Sequence, residues 1–266
     1  MEALKQKALE LLQSGDVKAV LGYAAGTAGA RRPHFARTPA QAERLVLDEA
    51  CTQNLASYLT RREVKRLGRL AVVALPATLR AALQLTAEHQ LRDGDALFLV
   101  PEAGALKALA TGSEIEEHLA LKADAMSERD RALIERLRAM TRTERWAFWQ
   151  QELSRCVKCY ACRNSCPMCY CEHCTMDCNR PQWVPVASHA LGNLEYHMVR
   201  AMHLAGRCVE CGECGRACPV GIPVHLLTFF AEESTARQFG QRAGHSAKLD
   251  YALSTFKPDD KETFIR

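Results

Sequence analysis

Twelve of the thirteen cysteines lie between Cys156 and Cys218, and their spacing is the most specific chemical signal in the chain. Cys156-x2-Cys159-x2-Cys162-x3-Cys166-Pro167 is followed by Cys208-x2-Cys211-x2-Cys214-x3-Cys218-Pro219, the same four-cysteine phrase twice. Two-residue spacers let one tight loop present three thiolates to a cubane, and in two-cluster proteins with this phrase the fourth cysteine ligates the other cluster. The expected ligand sets are therefore Cys156, Cys159, Cys162 and Cys218 for one 4Fe-4S cluster, and Cys208, Cys211, Cys214 and Cys166 for a second. The proline after each fourth cysteine has no N–H to donate and fixes the turn there. Zinc also takes four cysteines, often as two separated C-x2-C pairs, but rarely needs three at this spacing.

Between the phrases sits Cys169-x-Cys171-x2-Cys174-x3-Cys178, four further cysteines in ten residues, with His173 among them. Four thiolates suit a third iron-sulfur cluster or a tetrahedral zinc, and the C-x-C start matches neither pattern firmly. A metal site is expected at Cys169, Cys171, Cys174 and Cys178, with His173 a polar neighbour. Arg155, Lys158, Arg163, Arg180, Arg207 and Arg216 fall beside the ligands. They could lower thiol pKa values and raise cluster potentials, or simply form a solvated face with the interleaved Glu172, Asp177, Glu210 and Glu213.

The chain that must position these thiols has 266 residues, 48% of them apolar, enough for two unequal domains with cores of their own. A net charge of +4 with scattered basic residues gives no electrostatic argument for nucleic acid or an anionic membrane. No apolar run reaches the roughly 18 to 20 residues of a bilayer span, and the start, MEALKQKALELLQSGD, reads as an amphipathic helix. Dense cysteines without an export signal point to reduced thiols and a cytoplasmic protein. Neither G-x-G-x-x-G, a P-loop nor G-x-S-x-G occurs, Gly22, Gly26 and Gly29 read as a loop, and no catalytic residue is assigned. Trp146, Trp149 and Trp183 read as core or interface aromatics.

The fold class expected is α+β: a small N-terminal α/β domain over residues 1–150, then a mostly helical two-cluster domain over 151–232 containing the cysteine-rich insert. A docking tail over 233–266 is expected from the apolar Tyr251, Leu253, Phe256, Phe264 and Ile265. Helices are predicted near 2–14 and 39–66 and strands near 17–23, 70–75 and 96–100, the last two forming a βαβ unit in a small parallel sheet. Helices should fill 113–153, introduced by capping boxes at Ser113/Glu116 and Thr141/Glu144, and a helix over 186–204 should join the two phrases.

The segment LAGRCVECGECGRACPVGIPV, with 41 residues between Cys166 and Cys208, resembles the α-helical ferredoxin arrangement of heterodisulfide reductase small subunits and succinate dehydrogenase iron-sulfur subunits. The compact β-hairpin ferredoxin is the alternative, with the connecting segment as an insertion. The first 110 residues resemble the iron-sulfur β-subunit family of deazaflavin-coenzyme-reducing hydrogenases and formate dehydrogenases. That resemblance is carried by VKAVLGYAAGT, LVLDEACTQNLASYL, LAVVALPATLRAALQL and LRDGDALFLVPEAG, together with RCVKCYACRNSCPMCYC. It implies a chain relaying electrons between a dehydrogenase or hydrogenase and a flavin-containing, heterodisulfide-reductase-like subunit. Family cysteines in the segments aligned with LPATLR and VPEAG are replaced here near Ala77 and Glu102, so Cys51 stands alone and reads as an ordinary buried cysteine.

Two function classes remain open on this reading. One is an electron-transfer subunit without substrate chemistry of its own; the other is a non-catalytic adaptor whose metal sites fold the C-terminal half. A reductase using the middle phrase as substrate site has only the cysteine surplus in its favour.

Overall fold

The computed structural model describes residues 2–102, 105–120, 126–177 and 180–248. Helix α1 (Glu2–Ser14) buries Leu4, Ala8 and Leu11, one helical stripe, in the N-terminal core. It is followed by β1 (Ala19–Ala25), β2 (Arg31–Ala36), the single turn α2 (Pro39–Ala42), the two-residue β3 (Leu45–Val46), α3 (Arg62–Lys65), β4 (Leu70–Val73), α4 (Pro76–Ala87), β5 (Ala96–Glu102) and β6 (Ala105–Leu109). The strands form one sheet in the order β2-β1-β4-β5-β6, with β3 also paired to β1. β1, β4 and β5 are mutually parallel, and their near-continuous apolar runs are buried as strands covered on both faces require. The predicted βαβ unit is β4-α4-β5. The sheet is mixed and not purely parallel, because β2 and β6 join its two edges antiparallel.

The single helix expected over 39–66 is not formed. Thr38 caps only α2, and the segment beyond is held by tertiary bonds: Tyr23 donates to the Gln53 carbonyl at 2.6 Å and Asn54 to the Ala77 carbonyl at 3.0 Å. Gly22 is also no loop residue. It lies inside β1, where a Cβ would sit 2.7 Å from Leu45 Cδ2.

The second half is helical: α5 (Gly112–Ala120), α6 (Glu128–Ala139), α7 (Arg142–Ser154), α8 (Ala161–Asn164), α9 (Ala190–His203), α10 (Glu213–Arg216) and α11 (Val224–Phe239). The overall class is α+β, as expected. The Thr141/Glu144 capping box forms at α7. At α5 the reciprocal pair is Thr111 and Glu114, two residues earlier than predicted, while Glu116 accepts the Ala247 N–H at 2.6 Å.

Two apolar clusters organise the molecule. The sheet's core continues through Met168, Leu204 and Val209 to Cys166, Cys208 and Cys211. The other gathers Ile134 and Leu137 of α6, Trp149 and Leu153 of α7, and Tyr196 of α9 around Cys162 and Cys214. Helix α4 lies between the sheet and the cysteine region and is buried on nearly every side, so Arg80 and Gln84 sit inside the fold. After α11 the chain returns across α4, where Gly244 donates to Gln84 Oε1 at 3.0 Å. The described part of the expected docking tail therefore packs on the chain's own N-terminal half; Tyr251, Leu253, Phe256, Phe264 and Ile265 lie outside the described residues. Among the described residues no helix is long and apolar enough to cross a membrane.

Candidate metal centres

The two cysteine phrases adopt the same backbone. In the first, Lys158 and Tyr160 have φ of 53° and 57°; at the equivalent places in the second, Glu210 and Gly212 have 55° and 73°. Three of these four residues carry a side chain, and left-handed φ at such residues costs about 1–3 kcal/mol each and collects at functional sites. The distortion turns the loop about its sulfurs: Lys158 donates its N–H to Cys156 Sγ at 3.4 Å, and Ile222 donates to Cys218 Sγ at 3.3 Å. Each loop then enters one helical turn, α8 or α10, which carries the third cysteine inward; Cys162 and Cys214 are both buried.

The fourth cysteines cross over. Cys156, Cys159, Cys162 and Cys218 line one narrow crevice of about 20 Å³ with Tyr160, Tyr196 and Ile222. Cys166, Cys208, Cys211 and Cys214 line a cavity of about 640 Å³ whose opposite wall includes Pro76 and Ala77 at the start of α4. Cys169, Cys171 and Cys174 line a third cavity of about 250 Å³ with Arg163, Arg200 and Arg207. Cys178 lies outside the described residues, and His173 is exposed. All twelve described cysteines are free thiols. Among the described residues no three His, Cys, Asp or Glu side chains close around one point as a single ion would need. Cys51 is buried away from these cavities, where it accepts the Asp48 N–H at 3.4 Å.

Burial pushes the Cys156, Cys208 and Cys211 thiols up, and the Cys214 thiol to about 11. A buried thiolate needs a compensating positive charge, which a bound metal supplies. Cys169 is the exception, brought down to about 6 by its hydrogen bond with Cys166 and then by Arg200. Gly215 fits the same purpose sterically: a Cβ there would meet His225 Nδ1 at 2.0 Å, so only glycine lets α11 close on the Cys214 loop.

Helix α9, predicted only as a connector, supplies the polar lining. Asn193, Tyr196, His197 and Arg200 share its buried face, whereas Leu191 and Met202 are 70% and 66% exposed. This inversion of ordinary amphipathicity is visible in the sequence as polar residues at i, i+3, i+4 and i+7, and it marks a helix facing a polar centre. Asn193 Nδ2 donates to the Cys156 carbonyl at 2.8 Å, and Tyr196 Oη lies 3.6 Å from Cys162 Sγ. His197 is held neutral, its pKa brought to about 4 by burial and then by Arg200 and Lys158.

The basic residues flanking the ligands divide. Lys158 is buried over the Tyr196 ring and donates to the Pro185 carbonyl at 2.7 Å. Arg163 pairs with Asp177 at 2.5 Å and Arg207 with Glu88 at 2.6 Å. Arg155, Arg180 and Arg216 remain on the exposed face, although Arg216 reaches the Cys211 carbonyl at 2.6 Å.

No family model matches the chain. Over 80 residues, 30% of its length, it is 34% identical to the F420-dependent formate dehydrogenase subunit beta of Methanocaldococcus jannaschii. Over 105 residues, 40% of its length, it is 34% identical to the F420-dependent formate dehydrogenase 1 subunit beta of Methanococcus maripaludis. These matches span 20% and 26% of the two relatives, so the chain is similar to a part of formate dehydrogenase beta subunits.

Proposed function

We propose that this chain is an electron-transfer subunit of a dehydrogenase complex, holding two 4Fe-4S clusters and a third metal centre. Cys156, Cys159, Cys162 and Cys218 hold one cluster, and Cys208, Cys211, Cys214 and Cys166 the other. The observation that carries the reading is the crossing of Cys166 and Cys218 into each other's cavities, the exchange of fourth ligands that paired clusters use. Clusters bound there supply one-electron transfer. The protein's share is to fix the thiols through the strained loops, shield them with Met168 and Val209, and offset charge with Lys158, Arg163 and Arg207. Cys169, Cys171, Cys174 and Cys178 hold a third iron-sulfur cluster or a zinc ion.

Similarity to formate dehydrogenase beta subunits supports a dehydrogenase- or hydrogenase-type partner; the second partner proposed is a flavin-containing, heterodisulfide-reductase-like subunit. On this reading residues 1–150 form a scaffold or docking unit, 151–232 carry the clusters and 233–266 dock, within a cytoplasmic complex. Protein purified without oxygen should be brown, with about eight iron and eight acid-labile sulfide per chain, or about twelve of each if the middle phrase also holds a cluster. A colourless, sulfide-free zinc protein would overturn the proposal and leave the adaptor reading in its place.

A further inference from the structure

Arg200 projects from the buried face of α9 and is 4% exposed. Its Nη2 donates to the Cys162 carbonyl at 3.0 Å, and it lines the 640 Å³ cavity with Cys214 and the 250 Å³ cavity with Cys169. One cation thus borders both of the larger cysteine-lined cavities and also holds the Cys162 loop.

Its two neighbours in the 250 Å³ cavity differ from it in one respect. Arg163 and Arg207 each have a carboxylate partner, Asp177 and Glu88. Among the described residues no carboxylate pairs with Arg200, and its buried Nε has no hydrogen-bond partner. A guanidinium withdrawn from water without a counter-charge is strongly disfavoured. The counter-charge available to Arg200 is that of the cysteine sulfurs around it, which must therefore be anionic when the cavities are filled.

We propose that Arg200 is a shared counter-cation for the centres in the two larger cysteine-lined cavities, a positioning residue that raises their reduction potentials together. This rests on the reading that iron-sulfur clusters occupy the thiol-lined cavities. One electron entering a centre adds one negative charge while no bond is made or broken. A fixed positive charge nearby favours that reduced state, the more so in a site from which water is excluded. Because the guanidinium borders two centres at once, its removal should depress both potentials in parallel, whereas loss of a residue beside one centre should affect that one alone.

The test uses full-length protein purified without oxygen as wild type, R200Q and R200K, assayed for iron and acid-labile sulfide and then titrated with dithionite under EPR detection. The expected result is R200Q with wild-type iron and sulfide and at least two centres harder to reduce. The reduction equilibrium should fall about tenfold, about 59 mV for a one-electron couple, and R200K should lie between the two. Unchanged potentials in iron-replete R200Q, or a shift confined to one centre, would overturn the proposal. Should R200Q fail to retain clusters, R200K decides: full iron content with near-wild-type potentials supports a role for charge, and equal loss in R200K overturns it in favour of packing. Absence of iron and sulfide from the wild type removes the cluster reading itself, an outcome distinguished before any variant is compared.

Discussion

Arg207 grips Glu88 with two hydrogen bonds, Nε to Oε1 at 2.8 Å and Nη2 to Oε2 at 2.6 Å. Tyr170 Oη donates to the same carboxylate at 2.6 Å. Glu88 follows the last turn of α4, while Arg207 and Tyr170 flank the cysteine loops, so one buried carboxylate ties the sheet to the thiol-bearing region.

Removing the cation should leave that carboxylate stranded. Burial alone would raise the pKa of Glu88, but Arg207, Tyr170 and Gln84 outweigh it and hold the carboxyl below its ordinary value. Its contribution is therefore present above the unfolded pKa and lost as pH falls through the lower folded value. Arg207→Ala should cost about 3 kcal/mol in denaturant unfolding near neutral pH. The double variant with Glu88→Gln should recover part of that loss, because the stranded charge is gone.

Glu232 should give the opposite pH dependence. It is buried in α11, accepts the Ala243 N–H at 2.8 Å, and has its pKa raised from the usual 4.5 to about 7, first by desolvation and then by Glu210. The neutral acid is the form the fold prefers. Its contribution is complete below the unfolded pKa near 4.5 and is lost as pH rises through about 7. Glu232→Gln keeps the acceptor and removes the titration. Melting curves from pH 5.5 to 8.5 should show the variant gaining stability over wild type as pH increases; parallel curves would refute this.

Gly215→Ala should disturb the Cys214 loop through His225. A Cβ at Gly215 would meet His225 Nδ1 at 2.0 Å and Cε1 at 2.7 Å, and His225 is itself held by Asp130 at 2.8 Å. Overpacking of this kind costs about 1–3 kcal/mol. Iron content should drop in the single variant and return when His225→Ala is added, since the second change vacates the space. No rescue would mean that backbone preference, and not the imidazole, requires the glycine.

Cys211→Ala should abolish one cluster and most electron transfer, whereas Cys51→Ala should leave iron content intact. Cys211 lines the 640 Å³ cavity with three other cysteines, while Cys51 is packed in the N-terminal core, its sulfur donating to Asp48 and the Val46 carbonyl. Iron lost from the Cys51 variant would contradict the proposed ligand sets.

The shared loop of the two cysteine phrases is legible in the sequence because it repeats one local spacing, and the Thr141/Glu144 cap because it spans three residues. The strands β1, β4 and β5 are legible because burial on both faces demands unbroken apolar runs. β2 and β6 are not: as edge strands they carry exposed residues such as Arg32 and Lys107, and their pairing is decided by distant partners. The break in the predicted 39–66 helix depends on bonds from Tyr23 and to Ala77, which no local pattern encodes. Glu88 is likewise hidden, because it looks like a surface charge until packing encloses it.

On the proposed ligand sets, the crossing of Cys166 and Cys218 also sets an order of events during biosynthesis. The first triplet leaves the ribosome 52 residues before the second, yet its fourth thiol is the last of all to appear. The second set is complete in its earlier member, Cys166, but waits for residues 208, 211 and 214. Neither set can close on a nascent chain that stops short of Cys214, so loading must follow translation of nearly the whole region. Until then a dozen reduced thiols stand open to oxidants, and a cell making this protein in air risks sulfur oxidation before any iron arrives.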